Sequence, residues 1–397
     1  MKKVSIVTIM FFIIIGLAIP FGVVFLIIGH FENKINNEPR SFISRLDPRE
    51  IFAEEKKDEG PKPLPTPEIV KGVYLTGYSF VNSKTLNRLI ELTEDTEINS
   101  FVIDVKDSYG KLMLTPVSEK LKDVPISKMA FDNEEHKKTL DELQKKGIYT
   151  IARLTTFQDP TAAKTFPDLA LKNTWNTTWQ NWQGLTWLDM TNVGAWEIPV
   201  EQAKEAIKLG YDEIQFDYIR FPSDGNTRQI KYSNFPEDKR KYEILREFYK
   251  YAHENLDEFN IPLSIDLFGL TYEIRQNEHY DLNIGQRVVD AAPYFDYISP
   301  MVYPSHYPTG YLGLENPAAN PYAVISRAML AGKTILENAS STNIQSRPWL
   351  QDFDIGANYT ADLIRAQIKA TEESGASGWL LWNPLNRYTI GGLNKTD

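Results

Sequence analysis

The sequence contains no cysteine. That excludes disulfides, thiolate nucleophiles and a lipid anchor on an N-terminal cysteine. Histidine is scarce, with five in 397 residues. His30, His136, His253, His279 and His306 are scattered, and none stands in a His-x-x-x-His or Glu-His metal spacing. No metal and no cofactor is therefore expected. A Gly-x-Ser-x-Gly nucleophile elbow is absent, and so is the Gly-x-Gly-x-x-Gly phosphate turn of dinucleotide-binding folds. Positive charge is in deficit, with Lys plus Arg at 43 against Asp plus Glu at 53 and a net charge of −10. That balance disfavours nucleic acid and other polyanions as partners.

What is present is ordinary globular composition around one exceptional run. Apolar residues make up 42% and charged residues 24%, enough for one large domain or two smaller ones. Residues 4–29, however, carry no charge and are dominated by Ile, Val, Phe and Leu. As a helix this run would be about 39 Å long, enough to cross a bilayer with some tilt. Lys2 and Lys3 precede it, so the short N-terminus stays cytoplasmic and the bulk of the chain faces outward. A cleaved signal peptide is the alternative, although no clear Ala-x-Ala site follows. Lys56 to Pro67 contains Pro61, Pro63, Pro65 and Pro67 and reads as an extended tether. The expected organisation is a membrane anchor over 1–30, a linker over 31–69 and one catalytic domain over 70–397. The expected location is the cell membrane, single-pass with the domain outside, as on a bacterial surface.

From Val70 onward, strand-like runs alternate with helical patterns. Strands are expected over 72–76, 100–105, 149–155, 213–221, 262–268, 297–302, 347–351 and 378–382. Helical periodicity separates them over 83–94, 137–146, 195–209, 239–260, 288–292, 323–331 and 361–374. Eight strands alternating with helices predict a (β/α)8 TIM barrel, preceded by the N-terminal transmembrane helix and the Pro-rich tether. An open doubly wound sheet is the runner-up. Its first strand should lead into a Gly-rich turn, and here that position reads Thr76-Gly77-Tyr78-Ser79.

The strand tips carry the chemistry. Side chains alternate along a strand, so residues of one parity share a face. That parity pairs Asp104 with Lys106, Arg153 with Thr155, Gln215 with Asp217, and Ser264 with Asp266. Ser299, Met301 and Tyr303 share a face on the sixth strand. The seventh strand ends in Gln351, Asp352 and Phe353, and the eighth in Trp382 and Asn383. Core packing would place apolar residues at such tips, whereas barrel enzymes place their active sites there. Glu213 to Pro222 is the most informative stretch, because Gln215, Asp217 and Arg220 interrupt an otherwise strand-like run. Asp217 and Asp266 fall on neighbouring strands, and a carboxylate pair is what glycoside hydrolysis needs. Glu273 is a rival to Asp266 as acid/base. Asp104, Lys106, Arg153, Arg220, Tyr303, Gln351, Asp352 and Trp382 are the candidate substrate-binding groups, with Lys106 and Arg153 able to keep a neighbouring acid ionised. Tyr78, Trp187, Tyr307 and Trp349 are further candidates for stacking on sugar rings. The stretch from Trp175 to Trp187, with Trp179 and Trp182, lies in a loop, where aromatics favour binding. His306 and the pair Asp352 and Asp354 are weaker candidates, for the pocket and for a cation. Each acid also has a plain alternative: a salt bridge to Lys106 or Arg153 for Asp104, and a hydrogen-bonding support role for Asp266.

Several blocks resemble a known family. Lys71 to Leu75, Val102 to Asp107, Ile151 to Leu154, Phe216 to Pro222, Ser299 to Pro304 and Pro348 to Phe353 are similar to the glycosyl hydrolase domain family catalogued as domain of unknown function 4015. Phe216-Asp217-Tyr218-Ile219-Arg220-Phe221-Pro222 is the most specific block, and the resemblance covers about residues 70 to 390. It implies a TIM-barrel glycosidase distantly related to α-amylases, with an Asp nucleophile at the end of strand four, here Asp217. The α-amylase acid/base is a Glu at the end of strand five, where this chain has Asp266, with Glu273 further on. Met301-Val302-Tyr303 and Trp382 are also similar to chitinase-like barrels, but the Asp-x-x-Asp-x-Asp-x-Glu signature of those enzymes is absent. The expected activity is hydrolysis of an extracellular or cell-wall polysaccharide. A non-catalytic glycan-binding barrel and a metal-dependent hydrolase are the alternatives.

Overall fold

The computed structural model describes residues 63–274, 279–339 and 343–396. The expected membrane anchor, and the linker up to residue 62, lie outside the described residues. Among the described residues, no helix is long and apolar enough to cross a membrane.

Eight parallel strands close into a barrel. They are β1 (Val70–Leu75), β2 (Ser100–Asp104), β3 (Tyr149–Thr155), β4 (Glu213–Asp217), β5 (Leu263–Phe268), β6 (Tyr297–Met301), β7 (Trp349–Gln351) and β8 (Gly378–Trp382). Each pairs with the next, β1 pairs with β8, and Trp349 opposite Met301 joins β7 to β6. The longest α-helices between successive strands are α1 (Ser83–Asp95), α2 (Asn133–Lys145), α3 (Val193–Leu209), α4 (Lys241–Leu256), α5 (Val288–Ala291), α6 (Pro321–Asn338) and α7 (Ala361–Glu373). The expected barrel is thus the observed one.

Strand parity divides the core into two layers. Val73, Leu75, Phe101, Ile103, Ala152, Leu154, Ile214 and Phe216 face outward and pack in the large cluster shared with the helices. The opposite parity points into the barrel, where Val70, Tyr74, Val102, Tyr149, Ile151, Tyr303, Trp349 and Leu380 form a second cluster. Inward space is tight: a Cβ on Gly72 would meet Leu380 Cδ2 at 2.6 Å.

Two strands differ from expectation by more than their end residues. β4 stops at Asp217 rather than at Phe221, because Tyr218 adopts φ +52°, a left-handed conformation that cannot continue a strand. The expected seventh strand over 347–351 keeps only its last three residues, and a separate two-residue strand stands before it. Gln345–Ser346 pairs with β6, and β7 resumes at Trp349 after Arg347 and Pro348. Proline lacks the ladder donor, which accounts for the break.

The floor of the barrel is polar and sealed. Glu213, the first residue of β4, forms a fully buried ion pair with Arg347, and Tyr149 donates to Glu213 Oε2 at 3.0 Å. Ser264 donates to Glu213 Oε1 at 2.6 Å. Leu64 and Thr66, read above as linker, close this end: Leu64 N donates to Asp212 Oδ1 at 2.6 Å and Thr66 Oγ1 lies 3.1 Å from the Tyr149 hydroxyl. Removing one partner of a buried pair strands the other charge and costs about 3–5 kcal/mol. Glu213→Ala is therefore expected to lower the unfolding free energy by about that amount in urea titration. The Glu213→Leu, Arg347→Met double variant should recover most of the loss; a double variant no more stable than the single one contradicts this account.

Candidate active site

The polar strand tips meet around one guanidinium. Arg153 lies on β3, buried inside the barrel and level with Asp104 on β2 and Gln215 on β4. Its Nη1 donates to Asp104 Oδ1 at 2.5 Å, its Nη2 to Asp217 Oδ2, and its Nε lies 3.7 Å from Asp266 Oδ2. Three carboxylates from three strands thus converge on one cation. Burial opposes that charge, but Asp104, Asp217, Tyr74 and Asp266 outweigh it and hold Arg153 firmly protonated.

The three acids sit in different settings. Asp104 is the most open, with 14% of its side chain exposed, against 8% for Asp217. The Tyr74 hydroxyl donates to Asp104 Oδ2 at 2.5 Å, yet burial still raises the Asp104 pKa. Asp217 accepts from the amide of Tyr218 at 2.6 Å. The left-handed backbone of Tyr218 costs on the order of 1 kcal/mol, and it coincides with this hydrogen bond. Asp266 is fully buried. Its Oδ1 accepts from the Trp349 indole at 2.8 Å, while Oδ2 has no hydrogen-bond partner. Burial, reinforced by the charge of Asp217, pushes the Asp266 pKa well above the usual carboxylate range.

Aromatic rings line the mouth. Tyr74 and Trp382 stack at 3.9 Å between centroids, and Arg153 lies over the Trp382 ring at 4.9 Å. Trp382 is half-buried. Tyr303 is buried beside the acids, whose charge adds to the burial that holds its hydroxyl protonated. His306 packs on the edge of Tyr303 at 5.3 Å, and burial lowers its pKa to about 4, so it is neutral at pH 7.

Arg220 follows β4 in the connecting loop. Its guanidinium lies about equally over three rings, Trp187 at 5.1 Å, Tyr218 at 5.3 Å and Phe268 at 5.0 Å.

Other expected site residues serve the framework. Lys106 is buried in an ion pair with Asp159 at 2.8 Å and also donates to the carbonyl of Thr155, tying the loops after β2 and β3 together. Gln351 is buried; its amide donates to the carbonyls of Phe353 and Ile355 and accepts from Ser305 N. Asp352 accepts from the amide and hydroxyl of Thr389 at 2.9 and 2.7 Å, so it holds the loop after β8. Glu273 accepts from Tyr311 at 2.7 Å and lies 3.7 Å from Arg327, in contact with neither Asp217 nor Arg153. Trp349 and Trp187 are buried and offer no free face for a sugar. Trp175 and Trp182 are the exposed members of the loop cluster, while Trp179 is buried.

Tyr74 is the site residue that the strand-tip reading passed over. The signal was available, since Tyr74 shares the inward parity of Gly72 at the tip of the first strand. A tyrosine there reads equally well as core.

A family described as a "putative glycosyl hydrolase domain", domain of unknown function 4015, matches residues 72–388. The chain belongs to this family. No curated protein matches it. Among solved structures, the glycoside hydrolase domain of PgaB (BpsB) from Bordetella bronchiseptica matches with a TM-score of 0.58 and 13% identity, over 79% of this chain and 94% of that one. The α-L-fucosidase isoenzyme 2 of Paenibacillus thiaminolyticus matches with a TM-score of 0.51 and 12% identity, over 81% of this chain and 48% of that one. A hypothetical protein from Ruminiclostridium thermocellum ATCC 27405 is 34% identical over 49% of this chain and 96% of its own, with a TM-score of 0.44. Family membership makes this a glycosidase-like domain with carbohydrate as its substrate class.

The setting of Asp266 yields a pH prediction. Its folded pKa lies above the ordinary value of about 3.9, so the folded state binds the proton more tightly than the unfolded one. The associated stability is present below about pH 4 and is lost as pH rises through the folded pKa. Asp266→Asn mimics the protonated form and should remove that loss. The urea midpoint of the variant, relative to the parent, is expected to rise between pH 4 and pH 7; a difference independent of pH refutes a raised Asp266 pKa.

Proposed function

We propose that this protein is a glycoside hydrolase in which Asp217 is the nucleophile or charge stabiliser and Asp104 the proton donor. The observation that carries the reading is the convergence of Asp104, Asp217 and Asp266 on Arg153 at the C-terminal mouth of a parallel barrel. Hydrolysis of a glycosidic bond needs one ionised carboxylate facing the sugar and one carboxylic acid at the leaving oxygen. Asp217 has the guanidinium against it and a fixed orientation from the Tyr218 amide. Asp104 is the most exposed of the three and has a raised pKa, as a proton donor requires. Asp266, favoured for that role from the sequence, is sealed beneath Trp349 and is assigned to support. Trp382 supplies a ring face for the sugar, and Tyr303 a hydroxyl close to the acids.

The substrate in this reading is a polysaccharide outside the cell or in its wall. The uncharged run over 4–29 would hold the enzyme at the membrane surface, with the Pro-rich segment as spacer.

The test is a glycan panel scored both for binding and for new reducing ends. Asp217→Asn is expected to abolish turnover with an unchanged thermal transition, and full activity in that variant on a cleaved glycan sinks the mechanism. Binding to the unsubstituted protein without new reducing ends would favour a non-catalytic glycan-binding barrel.

The proton donor has its own signature. Asp104→Asn should lose about 10²–10⁴-fold on a natural glycan. It should retain far more activity on aryl glycosides whose leaving groups need no proton. Asp266→Asn should show no such split between substrates, and a split at Asp266 instead of Asp104 reverses the assignment.

A further inference from the structure

Among the described residues, Arg220 is a buried cation with no carboxylate in salt-bridge contact. It is 7% exposed. Its Nη1 donates to the carbonyl of Phe221 at 3.1 Å and to Ser223 Oγ at 3.0 Å. Among the described residues, its Nε and Nη2 donate to nothing, and no acid lies within 4.0 Å of the guanidinium. Those two nitrogens are also not sealed in, unlike the buried, unpartnered Nε of Arg153 and of Arg347. The protein therefore fixes one end of the guanidinium and leaves the other edge open.

The surroundings keep that edge in place. Trp187, Tyr218 and Phe268 surround the cation at 5.0–5.3 Å. Such contacts stabilise a cation without consuming its hydrogen-bond donors. Burial disfavours the charge and lowers the pKa of Arg220, so an anion docking there relieves a real cost. The acids on its own loop leave that edge open: Asp217 is bonded to Arg153, and Asp224 acts on Arg220 only through space, without a salt bridge. Tyr218 adjoins Asp217 in the chain, and Phe268 lies two residues beyond Asp266. The open edge thus belongs to the same mouth as the carboxylates.

We infer that the free Nε–Nη2 edge of Arg220 binds the carboxylate of an acidic sugar held beside Asp217, so that the enzyme selects a glycan bearing a carboxylate at that unit. Two parallel N–H groups match the two oxygens of a planar carboxylate. The net charge of −10 works against a uniformly anionic polymer. The ligand that fits both facts is a largely neutral glycan with an isolated acidic unit. This inference rests on the glycosidase reading for its location and goes beyond it in naming the substrate class.

The test compares three probes: a neutral oligosaccharide carrying one uronic acid, the same oligosaccharide with its carboxyl reduced to the alcohol, and one carrying a phosphate instead. Binding by calorimetry and release of reducing ends are measured for the unsubstituted protein, Arg220→Gln and Arg220→Lys. The uronate is expected to be preferred, and Arg220→Gln to lower that preference about 10- to 100-fold. Arg220→Lys keeps the charge in its ring cage but not the fork, and should fall between the two. It also serves as the control for folding, judged by thermal unfolding. Equal losses on the acidic and reduced probes would make Arg220 a loop-positioning residue and overturn the inference. A preference for the reduced or the phosphorylated probe overturns it too. Selective uronate binding that Arg220→Gln removes, without cleavage of any probe, would sustain the inference while the glycosidase reading failed.

Discussion

Everything at the mouth of this barrel is organised by the charge of Arg153. One guanidinium faces carboxylates from three different strands, β2, β4 and β5. Two unit charges at about 4 Å interact by about 4 kcal/mol at an effective dielectric of 20. That is enough to hold Asp104 and Asp217 against the cation despite their burial. Arg153 also packs against the stacked pair of Tyr74 and Trp382, so those rings and the acids share one support.

The floor of the barrel repeats the device at smaller scale. Glu213 and Arg347 pair in full burial below, and Arg153 with its acids sits above. β4 supplies an acid to both, Glu213 at its start and Asp217 at its end, with Gln215 between them bonded to Ser299 on β6. The inward face of β4 is polar along its whole length, while its outward face, Ile214 and Phe216, is core. The floor pair is closed by residues 64–66 and by tyrosines, so it is structural; only the upper cluster opens to solvent.

The sequence made the fold legible because parity and alternation are local. Eight apolar runs with helices between them need no knowledge of what touches what, and polar residues of inward parity mark the mouth. Partner choice is different. Lys106 and Arg153 are both cations at strand tips and look equivalent, yet Lys106 is consumed by Asp159, a residue in the following loop. Gln351 and Asp352 sit at a tip and are spent on loop backbone. Asp266 shares parity with Asp217, but Trp349 lies over it, and burial depth is set by a side chain on a strand more than eighty residues away. Early termination of β4 was also hidden, because Tyr218 carries no local mark of a left-handed conformation.

Charge balance explains why the three acids do not behave alike. One cation cannot neutralise three buried carboxylates. Two accept directly from its terminal nitrogens, and the third is left at 3.7 Å from Nε with one oxygen unbonded. A carboxyl in that position is least costly when protonated, as its raised pKa reflects. In the proposed mechanism Asp104 also holds its proton until the leaving oxygen takes it, which leaves the Asp217 carboxylate against Arg153. In that proposal, a substrate that develops positive charge at its reacting carbon would meet the Asp217 carboxylate in the place where it forms. That carboxylate would repel an acidic substituent, unless a second cation stood nearby with its donors free. Arg220 is placed on the loop that leaves Asp217, and its free edge answers that requirement.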